Sequence, residues 1–278
     1  MYFLLELTLM KNLKTELSVA LIASNEERNL AKCLDSLDGI ADEIILVHND
    51  CVDDTIKIAR RYGVKCFEEN WHGHRDQKNI ALSKAKKPWV LCLDADERLS
   101  PDLLASIQSL LQRDSKNEAD GFAFNRKSFF LGRWISHGDW YPDRKVRLIK
   151  KGLGTWKGSR EHDKLHVEGT VDELKGDLLH FSYPSMNSFV TKIVYFSDIY
   201  LQRQLDAKSQ WRLSHVLFRP IWRFIRAYFF KFGFLDGFPG LFIAVSTAFA
   251  AFFKHSRLYE QNSYEQPESS AASDDDRD

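Results

Sequence analysis

The chain has 278 residues, of which 44% are hydrophobic and 13% aromatic, so it is long enough to bury a sizeable core. Its formal net charge is zero, but the segment from Glu260 onward holds seven acidic residues and one Arg, which leaves 38 basic and 32 acidic groups before it. The cysteines show neither a paired metal spacing nor a CxxC motif, which disfavours a zinc scaffold and a redox protein and favours a reducing compartment; they are Cys33, Cys51, Cys66 and Cys92.

Strand and helix patterns alternate about four times in the first part of the chain. Short apolar runs with β-branched residues predict strands over 17–24, 43–48, 64–68 and 88–93. Periodic apolar positions predict helices from Asn25-Glu26-Glu27 to about Leu37 and over 53–62, 75–85 and 102–113. Ser100 is predicted to cap the last of these helices, with Pro101 following it.

This alternation predicts an α/β fold with a doubly wound, mainly parallel sheet and helices on both faces. Sheets of this kind bind ligands at the carboxyl ends of their strands. No GxGxxG or GxxxxGK[ST] motif follows the first strand, which disfavours a dinucleotide dehydrogenase and a P-loop enzyme.

The rest of the chain changes character in steps. Short apolar pieces among Gly, Trp, Arg and His predict an extension of the sheet, and 186–210 is predicted to be helical. We expect five regions: an N-terminal extension over 1–16, a first half of the sheet domain over 17–118, a second half over 119–185, a helical region over 186–259 and a disordered acidic tail over 260–278.

The clearest chemical signal is Asp94-Ala95-Asp96 at the end of an apolar strand. Two carboxylates one residue apart at a strand end can face the same crevice, and hard oxygen ligands suit Mg²⁺ or Mn²⁺. Such a cation would neutralise the charge on a departing nucleoside diphosphate. The alternative is a solvated turn that caps the next helix.

Four motifs in this order resemble the nucleotide-binding half of family 2 glycosyltransferases, which have the GT-A fold. They are Ala23-Ser24-Asn25-Glu26-Glu27, the loop 48–55 with Asp53-Asp54-Thr55, the segment 73–79 with Gln77-Lys78-Asn79, and Leu93-Asp94-Ala95-Asp96-Glu97. One departure is His48, where relatives usually carry an Asp close to the nucleobase.

Residues 143–183 look like a subgroup of that family that adds glucose to the inner core of lipopolysaccharide. The similarity continues through 219–226 and 233–237 and covers about residues 17–258. That subgroup usually shows His-Glu where this chain has His162-Asp163, so a carboxylate is retained with one methylene fewer.

The resemblance, together with the chemistry of the residues, implies roles for individual side chains. An inverting transfer needs a base within hydrogen-bond reach of the acceptor hydroxyl, for which Asp163 is the first candidate and Glu161 the second. The implied metal ligands are Asp94, Asp96 and His180. The implied donor-binding residues are Ala23, Asn25, Glu27, Asp53, Gln77, Lys78, Asp94 and Ala95.

Each of these roles has a plain structural alternative. The carboxylates at 161 and 163 could be surface groups paired with Arg160 or Lys164, and His180 could be a buried structural histidine. Asn25, Glu27 and Asp53 could cap helices instead of holding a nucleoside.

A basic and aromatic helix follows Trp211. The arginines Arg219, Arg223 and Arg226 are predicted on the face opposite to six apolar side chains, namely Ile221, Phe224, Ile225, Tyr228, Phe229 and Phe232. This pattern suits the headgroup region of an anionic membrane, and a core helix is the alternative. The apolar run 241–253 is shorter than a bilayer span, so we expect monotopic or peripheral attachment at the cytoplasmic face of the inner membrane.

These observations predict a metal-dependent inverting glycosyltransferase that moves a hexose, with UDP-glucose as the leading donor, to a lipid-linked saccharide such as the lipopolysaccharide inner core. The alternatives are a relative with another donor or acceptor, a nucleotidyltransferase, and a non-catalytic nucleotide-sugar-binding membrane protein. A nucleic-acid partner is not expected, because the arginines accompany wide apolar faces instead of polar base-reading side chains.

Overall fold

The structure, a computed structural model, describes residues 16–112, 119–159, 162–183 and 185–264. These residues form two compact units. The sheet unit contains the residues up to Phe129 together with Pro142–Ser182, and the helical unit contains Phe130–Tyr141 and the residues from Tyr183 onward. The predicted N-terminal extension, except for Glu16, and the predicted acidic tail beyond Tyr264 lie outside the described residues.

The first half of the sheet unit alternates strands and helices, as the sequence predicts. The strands are β1 (Leu17–Ala23), β2 (Glu43–His48), β3 (Lys65–Glu68) and β4 (Trp89–Asp94). The helices are α1 (Leu30–Asp35), α2 (Thr55–Arg61), α3 (His74–Lys84) and α4 (Pro101–Leu111), and a short strand β5 (Glu97–Leu99) precedes α4. The Ser100 hydroxyl accepts a hydrogen bond from the Leu103 N–H, which confirms the predicted cap.

The second half consists mainly of antiparallel strands. These are β6 (Gly121–Phe130), β7 (Arg133–Trp134), β8 (Arg144–Lys150), β9 (Gly154–Ser159), β10 (His162–Val167) and β11 (Val171–His180). Among the described residues, the main sheet has nine strands in the order β3-β2-β1-β4-β8-β6-β11-β5, with β7 paired to β6. Strands β9 and β10 form a separate hairpin.

Side chains of β1 enter apolar clusters on both faces of the sheet, because successive residues of a strand point to opposite sides. Leu17, Val19 and Leu21 belong to one cluster, and Ala20 belongs to a second one. Strands β2, β1 and β4 are parallel neighbours, so Ala23, His48 and Asp94 end at the same edge. The predicted GT-A-type, doubly wound sheet is confirmed, with β8 and the strands beyond it as a mixed extension.

The helical unit is built from α5 (Met186–Asp206), α6 (Leu213–Ile225) and α7 (Gly237–Tyr264). A π-helical turn, Arg226–Phe230, continues α6, so the basic and aromatic helix predicted after Trp211 is present but changes its winding at Arg226. The buried Asp236 carboxylate accepts hydrogen bonds from the N–H groups of Ser136 and His137. This carboxylate therefore fixes two segments of the helical unit that are about a hundred residues apart in sequence.

The helical unit also exposes large apolar side chains. Phe218 is 69% exposed, Phe230 64% and Phe238 63%, and Ile221 and Trp222 are also more than half exposed. Gly233–Ser263 contains a segment that meets the length and hydropathy of a membrane span, with a mean hydropathy of 1.5.

Candidate active site

Three predicted site residues meet at the carboxyl edge of the sheet. The ammonium group of Lys78, from α3, lies 3.0 Å from Asp94 Oδ1 and 3.0 Å from Asp163 Oδ2. Asp94 ends β4, and Asp163 lies on the β9–β10 hairpin opposite Gly158. The structure thus brings a predicted metal ligand, a predicted donor-binding residue and the predicted base into one cluster, although Lys78 and Asp163 are 85 residues apart in sequence.

A second cation holds the other side of Asp94. Arg147, from β8, donates to Asp94 Oδ2 at 2.9 Å and to Glu97 Oε1 at 2.7 Å, and Glu97 is fully buried. Burial raises the pKa of Asp94, but Lys78 and Arg147 lower that pKa more, so it lies well below the usual range. Asp94 is therefore a permanently ionised carboxylate between two cations.

Lys78 also packs against an aromatic ring. Its ammonium group lies 4.5 Å from the centre of the Trp156 ring, and its side chain is only 11% exposed. Burial and then Arg147 lower the pKa of Lys78, yet Asp94 and Asp163 raise it more, so the net shift is upward. Lys78 is thus a fixed positive charge in a largely dry site.

Asp96 lies beside His180 because β5 pairs antiparallel with the end of β11. In this register His180 is opposite Glu97, and Phe181 N–H donates to the Asp96 carbonyl. The His180 Nε2 atom lies 3.4 Å from Asp96 Oδ2, and His180 Nδ1 is 3.3 Å from the Ser128 hydroxyl. A carboxylate oxygen and an imidazole nitrogen therefore face each other, and Asp96 follows Asp94 by two residues in sequence.

The donor atoms of Asp96 and His180 fit a divalent cation. An oxygen and an imidazole nitrogen suit Mn²⁺, and Mg²⁺ binds through one or two carboxylates while keeping waters or substrate oxygens. Burial raises the pKa of the nearby Glu26, and the charges of Asp96, Asp53 and Asp94 raise it further, so this edge concentrates negative charge. Within the described ranges, no three His, Cys, Asp or Glu side chains converge as a closed metal site, and a cation here would complete its shell with substrate or water.

Two loops beyond β1 and β2 are tied together by the residues predicted to hold the nucleoside. Asn25 Oδ1 accepts from the Val52 N–H, and Asp53 Oδ2 accepts from the Glu27 N–H. Asp53 Oδ1 also accepts from the Thr55 N–H at the start of α2. These bonds agree with the alternative that Asn25 and Asp53 have a structural role. They also hold the backbones of the two loops together at the carboxyl edge of the sheet.

The remaining predicted donor residues are buried. Gln77 donates to the carbonyl groups of Glu69 and Asn70 and so fixes the loop before α3. Ala23 and Ala95 both lie in the apolar cluster on one face of the sheet. Asn79, which the sequence motif contains but the assigned roles omit, exchanges two hydrogen bonds with the backbone of Trp156 and thereby anchors α3 to β9.

Arg147 and Glu97 are the site residues that the sequence reasoning missed. Arg147 lies in β8 next to the apolar Val146 and Leu148, and it is only 3% exposed. Strand β8 carries four basic residues, of which only Arg147 is buried, so the sequence pattern does not single it out, although a buried Arg requires anionic partners.

Two further residues singled out in the sequence are Glu161 and His48. Glu161, the second candidate base, lies outside the described residues. His48 ends β2 as a buried side chain; burial is the main reason that its pKa is lowered, and its Nδ1 atom has no hydrogen-bond partner in the described part of the chain.

Comparisons with known proteins show the family to which this chain is similar. A family model described as glycosyl transferase family 2 matches residues 18–162. The chain is 29% identical to the lipopolysaccharide core biosynthesis glycosyltransferase LpsC of Rhizobium meliloti, over 90% of this chain and 94% of that protein. It is 30% identical to an uncharacterized glycosyltransferase of Rickettsia typhi, over 88% and 87% of the two chains. The crystal structure of S. aureus TarS 1–349 in complex with UDP-GlcNAc has a TM-score of 0.46 at 14% identity, over 87% of this chain and 83% of that chain.

Proposed function

The chain belongs to glycosyltransferase family 2, and from this premise we propose that it moves a hexose from a nucleotide sugar to a lipid-linked saccharide with inversion at the anomeric carbon. The observation that carries the proposal is the contact of Lys78 with both Asp94 and Asp163 at the carboxyl edge of the sheet. It supports a single crevice with a diphosphate-binding end and a proton-accepting end.

The donor is proposed to lie along the loops that follow β1, β2 and β4. Asn25, Glu27 and Asp53 would hold the nucleoside, and Lys78 would neutralise the diphosphate. UDP-glucose is proposed as the leading donor, because residues 143–183 resemble the subgroup that adds glucose to the inner core of lipopolysaccharide. We propose that three buried residues support this donor pocket by packing beneath its surface; they are Ala23, Gln77 and Ala95.

We propose that the enzyme uses Mg²⁺ or Mn²⁺, held by Asp96 and His180. Asp94 was predicted as a further ligand, and this stays a prediction, because Lys78 and Arg147 already engage both of its oxygens. When bound, the cation supplies positive charge for the diphosphate leaving group. Arg147 and Glu97 would orient Asp94 and keep water out of the cluster.

Asp163 is proposed as the catalytic base. Its carboxylate would accept the proton of the acceptor hydroxyl as that oxygen attacks the anomeric carbon and the bond to the diphosphate breaks. Lys78 holds Oδ2 of this carboxylate in place, so the base is positioned before the acceptor arrives.

The helical unit is proposed to attach the enzyme to the cytoplasmic face of the inner membrane. Exposed Phe218, Ile221 and Trp222 offer an apolar face on α6 that suits the acyl boundary of a bilayer. Attachment would raise the effective concentration of an acceptor that is itself anchored in lipid. The predicted arginine contacts need one correction: Arg226 is bonded to Asp139 within the unit and is not a free ligand for lipid phosphates.

A screen of nucleotide sugars tests the proposal directly. The full-length protein is incubated with UDP-glucose, UDP-galactose, an ADP-sugar and a GDP-sugar, each with Mn²⁺, with Mg²⁺ or with EDTA. We expect metal-dependent release of UDP from UDP-glucose that increases with a lipid-linked saccharide acceptor. Release of no nucleoside diphosphate from any donor would support the non-catalytic alternative, and full activity in EDTA would remove the metal.

A further inference from the structure

The helical unit contains a polar cavity of about 420 Å³, and none of its lining residues belongs to the candidate active site. All but one of its lining residues are polar, the exception being Leu258 on α7. The lining residues that matter here are Tyr200, Gln204, Gln210, Arg212, His215 and Arg219. Arg212 and Gln210 are exposed, so the cavity is open to solvent.

Arg219, an exposed residue of α6, contacts two histidines at this cavity. One guanidinium nitrogen, Nη2, lies 3.2 Å from His215 Nε2, and the other, Nη1, lies 3.4 Å from the Nε2 atom of the buried His255. Because an arginine can only donate, both imidazoles must accept through Nε2 and are therefore neutral, with the proton on Nδ1.

The same logic assigns the next hydrogen bond. His255 Nδ1–H donates to the Tyr200 hydroxyl oxygen, which lies 3.2 Å away. The hydroxyl proton of Tyr200 is then available to a further acceptor, so Tyr200 is a donor to anything bound in the cavity that it lines.

The surroundings are cationic. In the part of the chain that the structure describes, no carboxylate forms an ion pair with Arg212, Arg219 or Lys254. The unit's own ion-paired carboxylates are bonded elsewhere: Asp139 to Arg226 and Lys231, Asp198 to Arg257, and Asp236 to Arg133 and His137.

The pKa values of Lys254 and His255 are shifted in the direction that uncompensated positive charge produces. Burial and then Arg223 and Arg219 lower the pKa of Lys254, and burial, Lys254 and Arg219 lower the pKa of His255 to about 4. An anion bound in the cavity would offset this repulsion between cations. The positive charge around the cavity and the hydrogen-bond donors that line it therefore both favour an anionic ligand.

The position of the cavity narrows the type of anion. Its lining residues His215 and Arg219 alternate along α6 with the exposed apolar residues Leu213, Leu217 and Phe218. A group bound there is thus presented beside a surface that suits lipid, and guanidinium, amide and hydroxyl donors are the set that binds phosphate oxygens.

We propose that this cavity binds a phosphate monoester or inorganic phosphate, with Arg219 and Arg212 supplying the charge and Tyr200 a neutral donor. The group could be the headgroup of an anionic lipid or a free phosphate compound. The site is separate from the transfer reaction, so it can be tested whether or not the proposed donor is correct.

The first arm titrates inorganic phosphate into the full-length protein by calorimetry, with chloride at equal ionic strength as the reference. We expect saturable binding that Arg219→Gln weakens by about tenfold or more, the loss expected for a charge-assisted hydrogen bond. Arg257→Gln is the matched control, because it removes the same charge from the neighbouring helix at a residue that is already paired with Asp198. Its affinity should equal that of the wild type.

The second arm distinguishes the source of the phosphate. Phosphatidylcholine vesicles with and without phosphatidic acid are sedimented with wild type, Arg219→Gln and Arg257→Gln. Vesicle binding that requires phosphatidic acid and depends on Arg219 identifies a lipid headgroup, whereas saturable, Arg219-dependent binding of inorganic phosphate with no vesicle binding that requires phosphatidic acid identifies a free phosphate compound.

A second variant guards against misfolding of Arg219→Gln. Arg212→Gln changes an exposed residue and should also weaken phosphate binding, while its circular dichroism spectrum stays that of the wild type. The proposal is overturned if neither inorganic phosphate nor phosphatidic acid binds above the chloride and phosphatidylcholine references. It is equally overturned if Arg257→Gln loses as much affinity as Arg219→Gln.

Discussion

The two units of this chain distribute charge and apolar surface in opposite ways. The sheet unit buries Glu97 and Arg147 and holds the partly buried Asp94 beside them, so each charge is matched by an opposite one. The helical unit exposes large aromatic side chains and gathers cations around a cavity. Burying an ion network carries a desolvation penalty, and such a network is useful where it positions charged side chains. An exposed apolar face is typical of a surface that binds a partner. The difference accords with the proposal that the sheet unit performs the transfer and the helical unit attaches the enzyme to a membrane.

The largest effect is expected at Asp163. Asp163→Asn keeps the shape of the side chain but removes its capacity to accept a proton, so kcat should fall by about 10²–10⁴-fold. Binding of UDP, measured by calorimetry, should stay close to that of the wild type. Asp120→Asn is the control, because Asp120 is also a carboxylate of the sheet unit that pairs with a lysine, namely Lys150.

Retained activity in Asp163→Asn would exclude Asp163 as the base and direct attention to Glu161. In that case Glu161→Gln should show the loss of kcat with intact UDP binding. The sheet unit would still contain the charge network, but its proton acceptor would lie elsewhere.

The next effect is expected at Asp96. Asp96→Asn weakens one of the two groups proposed to hold the cation, and turnover should fall by about 10²-fold, as for the loss of a major electrostatic stabiliser. Calorimetric titration of Mn²⁺ in the presence of UDP should show a matching loss of metal affinity. Unchanged Mn²⁺ affinity in both Asp96→Asn and His180→Ala would remove the metal from this edge.

The sequence predicted the sheet unit well where local signals determine structure. The strands β1, β2 and β4 were predicted to within one or two residues, because each is a short buried apolar run. Asp94, Lys78 and Asp163 were assigned to one site from motifs, and the structure brings them together.

The features that the sequence did not predict depend on contacts between distant residues. Strand β11 pairs parallel to β6 and antiparallel to β5, and this register alone places His180 beside Asp96. The anionic partners of Arg147 lie about fifty residues away, and Asp139, the partner of Arg226, lies 87 residues away. Periodicity gives the apolar positions of a helix but not the tertiary partner of each charge, so the faces of α6 were predicted too simply.

A smaller effect is expected for the apolar face of the helical unit. Replacing Phe218, Ile221 and Trp222 together with Ser should lower partitioning onto anionic liposomes by at least about tenfold, because their exposed surface would no longer be buried in the acyl boundary. Sedimentation measures this directly. Trp71→Ser with Tyr62→Ser is the control, because these side chains are exposed aromatics of the sheet unit. Equal sedimentation of the triple variant and the wild type would show that exposed apolar surface does not distinguish the two units in function.

The smallest effect concerns a buried charge far from the site. Glu43, at the start of β2, accepts hydrogen bonds from the Ser18 hydroxyl and the Lys86 N–H and pairs with Lys65. Burial raises its pKa, but the bonds from Lys65, Ser18 and Lys86 lower it to about 2. Because this pKa lies below that of an unfolded Glu, the stabilisation is present above about pH 4.5 and is lost as the pH falls toward 2.

Glu43→Gln should therefore lower the free energy of unfolding by about 1 kcal/mol at neutral pH, since part of the hydrogen bonding survives in the amide. The difference from the wild type, measured by urea denaturation, should shrink steadily as the pH is lowered below 4.5. Glu173→Gln is the control: Glu173 pairs with Arg144 at an exposed position, where an ion pair contributes little. A difference that is independent of pH would mean that the carboxylate charge of Glu43 is not what stabilises β2. The burial of matched charge would then be confined to the candidate active site and would not characterise the whole sheet unit.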